Sequence, residues 1–154
     1  MTSRSSFLTF EEAAPRIIDA LQRAPRWIVL SHIKPDGDTL GCGSAFFHAA
    51  LSLKKEVVWG GPDSMPESYC FLAGSDNYMP GLVLDESTVH GDSIVIALDT
   101  STVARSAAGL GELSPNVPLL NIDHHKDNEG FGTIPWEAAK NCYEFLKYGG
   151  YIRC

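Results

Sequence analysis

No stretch of this 154-residue chain approaches the roughly 18 consecutive apolar residues of a membrane-spanning helix. Its first fifteen residues, MTSRSSFLTFEEAAP, lack the apolar run of a secretory signal. Cationic residues are in deficit, 12 Lys and Arg against 19 Asp and Glu, for a formal net charge of -7. A surface of that sign is poorly suited to a long phosphate backbone. Long duplex nucleic acid is therefore not an expected partner, unless bound cations cancel the charge locally. The four cysteines, Cys42, Cys70, Cys142 and Cys154, form no C-x-x-C pair, which argues against a zinc ribbon or a thioredoxin-type site. Their sparseness suits a reduced, cytoplasmic location. No G-x-S-x-G elbow marks a serine hydrolase, and no G-x-x-x-x-G-K-[ST] loop marks a P-loop nucleotide hydrolase.

What is present is an ordinary globular composition, 44% hydrophobic and 20% charged, in a chain of one-domain length. Residues 9–24 suggest a helix with Thr9 and Glu12 at capping-box spacing. Pro15 places its start nearer that residue, and Ile17, Ile18 and Leu21 form its apolar stripe. Buried strands are expected at 27–31 (WIVLS), 56–60 (EVVWG), 93–99 (SIVIALD) and 117–123 (VPLLNID), with an edge strand at 82–85 (LVLD). Helices are expected at 39–53, 66–74, 102–108 and 135–149. Continuous apolar strands alternating with helices imply an α/β fold, a mostly parallel sheet with helices on both faces.

Three of those strands run into residues that can ligate metals. The first gives way to His32, Asp36 and Asp38, another ends at Asp99, and the last ends at Asp123, His124 and His125. If the strands are parallel, all these endings lie on one edge of the sheet, where α/β folds bind ligands. So many anionic groups in one cleft need cations to neutralise them. Imidazole and carboxylate without thiolate suit Mn, Zn or Fe, and carboxylate-rich sets lean to Mn or Mg. Two such metals roughly 3.5–4 Å apart clamp an in-line phosphoryl displacement. Each piece also has a plain structural reading. Asp36-Gly37-Asp38 could be only a turn, and Asp99-Thr100-Ser101 could cap a following helix. His48 and His90 read as structural.

In order and spacing, these segments resemble the DHH family of phosphoesterases. Its first motif matches Ser31-His32-Ile33-Lys34-Pro35-Asp36-Gly37-Asp38-Thr39-Leu40-Gly41. The second matches Ala97-Leu98-Asp99-Thr100-Ser101, with Arg105 downstream, and the third matches Ile122-Asp123-His124-His125-Lys126-Asp127-Asn128 with Phe131-Gly132. The Pro-Asp-Gly-Asp form is similar to the oligoribonuclease (nanoRNase) and 3′-phosphoadenosine-5′-phosphate phosphatase branch. That resemblance implies a substrate among short oligoribonucleotides or nucleoside bisphosphates, and a pair of Mn²⁺ ions with Mg²⁺ as the alternative. It implies that His32, Asp36 and Asp99 hold the first metal, and that Asp38, Asp99 and His124 hold the second, with Asp99 bridging. His125 would face the reacting phosphate, Asp123 would orient a histidine, Arg105 would touch a phosphate, and Asn128 would order the third loop.

The chain departs from the family in three places. Cys42 stands where a serine is common. No Asp follows Asp127, so the carboxylate of the family's fourth motif is expected to be missing. The second, substrate-gripping domain is expected to be absent as well, which makes residues 1–154 an incomplete N-terminal DHH domain. An active phosphoesterase and a metal- or nucleotide-binding remnant without turnover are both compatible with that. Apolar surface left uncovered by a partial domain leads to the expectation of a homodimer.

Overall fold

The structure, a computed structural model, describes residues 10–137. Helix α1 (Phe10–Arg23) leads into strand β1 (Arg26–Leu30), followed by α2 (Gly37–Ser52), β2 (Glu56–Gly61), β3 (Tyr78–Pro80), β4 (Ser93–Leu98), β5 (Leu119–Asp123) and β6 (Ile134–Glu137). All six strands form one parallel sheet in the order β3-β2-β1-β4-β5-β6. The chain builds outward from β1 to β3, then returns to place β4 on the other side of β1. The strand order therefore reverses between β1 and β4, and ligands of open parallel sheets bind beyond the carboxyl ends of strands at such a point.

The strands are apolar because both faces of the sheet are covered. Every residue of β4 is buried. On one face Trp27, Val29, Trp59, Ile94, Ile96, Leu98 and Leu120 pack with Leu40, Phe47 and Ala50 of α2 and with Ile17, Ala20 and Leu21 of α1. On the other, Ile28, Leu30 and Val95 are covered by Leu82 and Leu84 and by Ala107 and Leu110. That second layer carries 3-10 turns, Val103–Arg105 and Leu110–Glu112, where the first carries α-helices. Gly43 lets α2 lie against the sheet, since a Cβ there would sit 2.3 Å from the indole nitrogen of Trp59.

Several local expectations change. Helix α1 begins at Phe10 and carries Pro15 inside it, because Ala13, Ile17, Ala20 and Leu21 anchor both ends of the segment to the core. Ile18 faces outward, 53% exposed. The segment 66–74 is not a helix but holds a 3-10 turn, Glu67–Tyr69. Residues 102–108 likewise form only the turn Val103–Arg105. The edge strand lies at Tyr78–Pro80, whereas 82–85 makes a single bridge from Val83 to Ala108. Residues Ile134–Glu137 form a strand beside β5, where the sequence leads to the expectation of a helix starting at Pro135. The remainder of that expected helix lies outside the described residues. No described helix is long and apolar enough to cross a membrane.

Candidate metal centre

Strand register explains why residues distant in sequence meet. Leu30 pairs with Ala97 and Leu98 pairs with Ile122. Continuing both registers past the strand ends sets His32 opposite Asp99, and Asp99 opposite Asp123.

His32 leaves β1 buried, 3% exposed. Its Nδ1 lies 2.7 Å from the carbonyl oxygen of Ile33. A carbonyl only accepts, so Nδ1 carries the proton and Nε2 is left with its lone pair. That Nε2 lies 3.6 Å from Asp36 Oδ1 and 3.4 Å from Asp99 Oδ2. Protonating Nε2 would let it donate to the Asp99 carboxylate, and this holds the His32 pKa above its ordinary 6.5, against the opposing effect of burial. Asp36 is also the N-cap of α2, where its Oδ1 accepts the backbone N–H of Asp38 (3.1 Å) and Thr39 (3.3 Å). The turn reading of Asp36-Gly37-Asp38 is thus true, and the same oxygen faces His32. Buried Thr39 donates from Oγ1 to the carbonyl of Leu98, 3.1 Å away, which pins the start of α2 to the end of β4.

Asp99 is the junction. Its φ is +56°, in the left-handed region that most non-glycine residues avoid and that Asp enters more readily than most. Its N–H donates to the Ile122 carbonyl at 2.9 Å, which holds the turn. It does not cap a helix; the following turn has Thr102 at its cap position, without a side-chain bond. The carboxylate, 10% exposed, divides between histidines: Oδ2 lies 3.4 Å from His32 Nε2, and Oδ1 lies 3.0 Å from His124 Nε2.

From β5 come Asp123, His124 and His125. Asp123 is buried, and its Oδ1 accepts from His125 Nδ1 at 2.6 Å while its Oδ2 accepts from Asn128 Nδ2 at 2.6 Å. The Asp123 hydrogen bond raises the pKa of His125, with burial opposing it. The side chains of His124 and His125 are 47% and 40% exposed, so both rings are reachable from solvent.

Among the described residues, two groups of side chains could therefore hold a cation: His32, Asp36 and Asp99, and Asp99, His124 and His125. The spacings discriminate between hydrogen bonding and ligation. A charge-assisted N–H···O bond settles at about 2.7–2.9 Å. Donors each about 2.1 Å from one ion lie about 3.0 Å apart at right angles and about 3.4 Å apart at tetrahedral angles. The 3.4 and 3.6 Å separations at His32 and the 3.0 Å at His124 fall near the second range. The 2.6 Å His125–Asp123 contact falls at hydrogen-bond distance. Although His125 Nδ1 is 3.8 Å from Asp99, it is committed to Asp123, and Nε2 is the ring's uncommitted nitrogen.

Asp38 belongs to neither group and is exposed on the first turn of α2. Arg105 is exposed, and its carbonyl accepts the Ile33 N–H at 2.8 Å, which brings its backbone beside His32. His48 and His90 are exposed and lie in neither group. Cys42 is exposed on α2. Sequence reasoning missed two structural partners of the site, Thr39 and the fully buried Asn121. For Asn121 the signal was its place as the lone amide in the apolar run VPLLNI.

No family model matches the chain. Over 110 residues it is 29% identical to a bifunctional oligoribonuclease and PAP phosphatase, NrnA, of Thermus thermophilus. The similar stretch covers 69% of this chain and 30% of that protein.

Proposed function

We propose that this chain carries the metal-binding half of a DHH-type phosphoesterase acting on short oligonucleotides or nucleoside bisphosphates with divalent cations, Mn²⁺ first and Mg²⁺ as the alternative. One observation carries the proposal: Asp99, on a strained left-handed turn, offers one carboxylate oxygen to His32 and the other to His124 at ligand-like spacing. Strain of this kind persists where the surroundings over-determine it, and it clusters at functional sites. The similarity to NrnA adds the substrate class, since that protein is described as an oligoribonuclease and PAP phosphatase.

In this reading His32, Asp36 and Asp99 hold one ion, and Asp99 and His124 hold part of a second. When bound, the ions stabilise charge in an in-line phosphoryl displacement and activate water. The chain's own residues do the rest. Asp99 fixes the separation of the two sets. His125, gripped at Nδ1 by Asp123, keeps Nε2 available to hold a proton near the reacting phosphate, and its raised pKa suits a proton donor to the leaving oxygen. Arg105 contributes positive charge toward a substrate phosphate.

A second reading is metal or nucleotide binding without turnover. It draws on Asp38, which stands apart from Asp99 and His124 and leaves the second set short of a carboxylate. The deciding assay incubates the chain with Mn²⁺ and either a short oligoribonucleotide or 3′-phosphoadenosine-5′-phosphate, beside Asp99→Ala and His125→Ala variants. Turnover in the parent that disappears in both variants supports the hydrolase. Mn²⁺ binding with no turnover supports the second reading. Failure to bind Mn²⁺ refutes the hydrolase, and failure to bind Mn²⁺ or either nucleotide refutes both.

A further inference from the structure

Behind the metal-facing side chains lies a chain of amides, with Asn121 buried and Asn128 half-buried, whose orientation can be deduced. Asn121 Nδ2 lies 3.1 Å from the Thr100 carbonyl. Because that carbonyl only accepts, the nitrogen end of the Asn121 amide points there and its oxygen points the other way. At the far end, the Gly130 N–H donates to Asn128 Oδ1 at 2.7 Å, so the nitrogen end of Asn128 points back toward the site. The two main-chain anchors agree, since Asn128 Nδ2 lies 2.9 Å from Asn121 Oδ1 and 2.6 Å from Asp123 Oδ2. Its two protons serve those two acceptors. Asp123 Oδ2 is thereby occupied as an acceptor, and Oδ1 remains to accept from His125 Nδ1 at 2.6 Å.

We infer that Asn121 and Asn128 are positioning residues that lock His125 as the Nδ1–H tautomer, with Nε2 as its working nitrogen. Asn121 ties this lock to the carbonyl of Thr100, the residue that follows Asp99. The arrangement of the His124-His125 loop is therefore coupled to the turn that carries the central carboxylate. A neutral imidazole in water favours the opposite tautomer, with the proton on Nε2, so the lock has a measurable effect. Its value for catalysis rests on the phosphoesterase reading, whereas the tautomer itself does not.

The test uses the full chain, labelled with ¹⁵N-histidine and free of metal and substrate. Long-range ¹H–¹⁵N correlation spectra are recorded at a pH where the imidazole is neutral, with His125→Gln assigning the signal. The parent is expected to show the Nδ1–H pattern for His125. Asn121→Leu and Asn128→Ala are each expected to lose it in favour of Nε2–H, with far-UV circular dichroism retained. If Asn121→Leu fails to fold, Asn128→Ala, on a half-buried loop, decides alone. An Nε2–H pattern in the parent, or an unchanged Nδ1–H pattern in a folded Asn128→Ala, overturns the inference. A locked tautomer in a chain that never hydrolyses a phosphate ester would instead sink only the proposed function.

Discussion

At the scale of single residues, Asp99 carries two burdens that substitution can separate. One is its backbone, held at φ +56°. The other is its carboxylate between His32 and His124. Asn and Asp visit the left-handed region far more readily than Ala, for which it costs roughly 1–2 kcal/mol. Asp99→Asn is therefore expected to be more stable than Asp99→Ala by about 1 kcal/mol in urea unfolding of the metal-free chain. Both variants lose the anionic ligand, so titration calorimetry is expected to find no specific Mn²⁺ binding in either. Equal stabilities would show that the turn is not strained, and retained Mn²⁺ affinity in Asp99→Asn would remove Asp99 from the metal centre.

At the scale of elements, the four central strands were readable to within two residues because burial on both faces writes a continuous apolar run. The carboxyl-edge cluster followed from them, since parallel strands put all their endings on one side. What could not be read was the edge of the sheet. Strand β3 is only Tyr-Met-Pro, with Pro80 at its end and Met79 exposed, and so short an edge leaves no periodic signal. In LVLD the alternation was real, as Leu82 and Leu84 are buried and Val83 is exposed, but those leucines cap the second core layer and the segment forms only the isolated bridge from Val83 to Ala108. The Asn121–Asn128–Asp123 connection was equally out of reach, because it depends on how the loop after β5 folds back onto that strand. Strand β3 nonetheless supplies a pH signature. The ring of Tyr78 meets Trp59 edge-on at 5.4 Å, and its hydroxyl donates to the Asp63 carbonyl. Burial, with the Asp63 charge assisting, pushes its pKa up from 10.0 to about 12. The folded state thus holds this proton more tightly than the unfolded chain does. Its contribution to stability is complete below pH 10 and is lost as the pH rises through about 12. Tyrosinate absorbance should reveal a late-titrating group that vanishes in Tyr78→Phe, and that variant's stability should fall less steeply over the same interval. A parent in which every tyrosine titrates together near pH 10 would contradict this.

At the scale of the whole molecule, the cluster at the switch point concentrates negative charge in a chain already at -7. Asp36 and Asp99 share His32, with Asp38 close in sequence, so the metal-free fold carries repulsion that a bound cation would relieve. Any ion that binds only the folded state adds RT ln(1 + [L]/Kd), about 2.7 kcal/mol at a hundredfold excess over Kd. For a domain of this size that corresponds to a rise in Tm of roughly 5–10 °C. Simple screening by salt would also ease the repulsion, but it acts through ionic strength and at far higher concentrations. The two effects separate in a thermal melt. Micromolar to millimolar Mn²⁺ at constant ionic strength is expected to raise the Tm of the parent, whereas NaCl of matched ionic strength is not. Asp99→Asn should abolish the Mn²⁺ response while keeping whatever screening response the parent shows at high NaCl concentration. An Mn²⁺-induced rise that survives in Asp99→Asn would place the cation elsewhere on the acidic surface, and the strand-edge centre would then lose its energetic support.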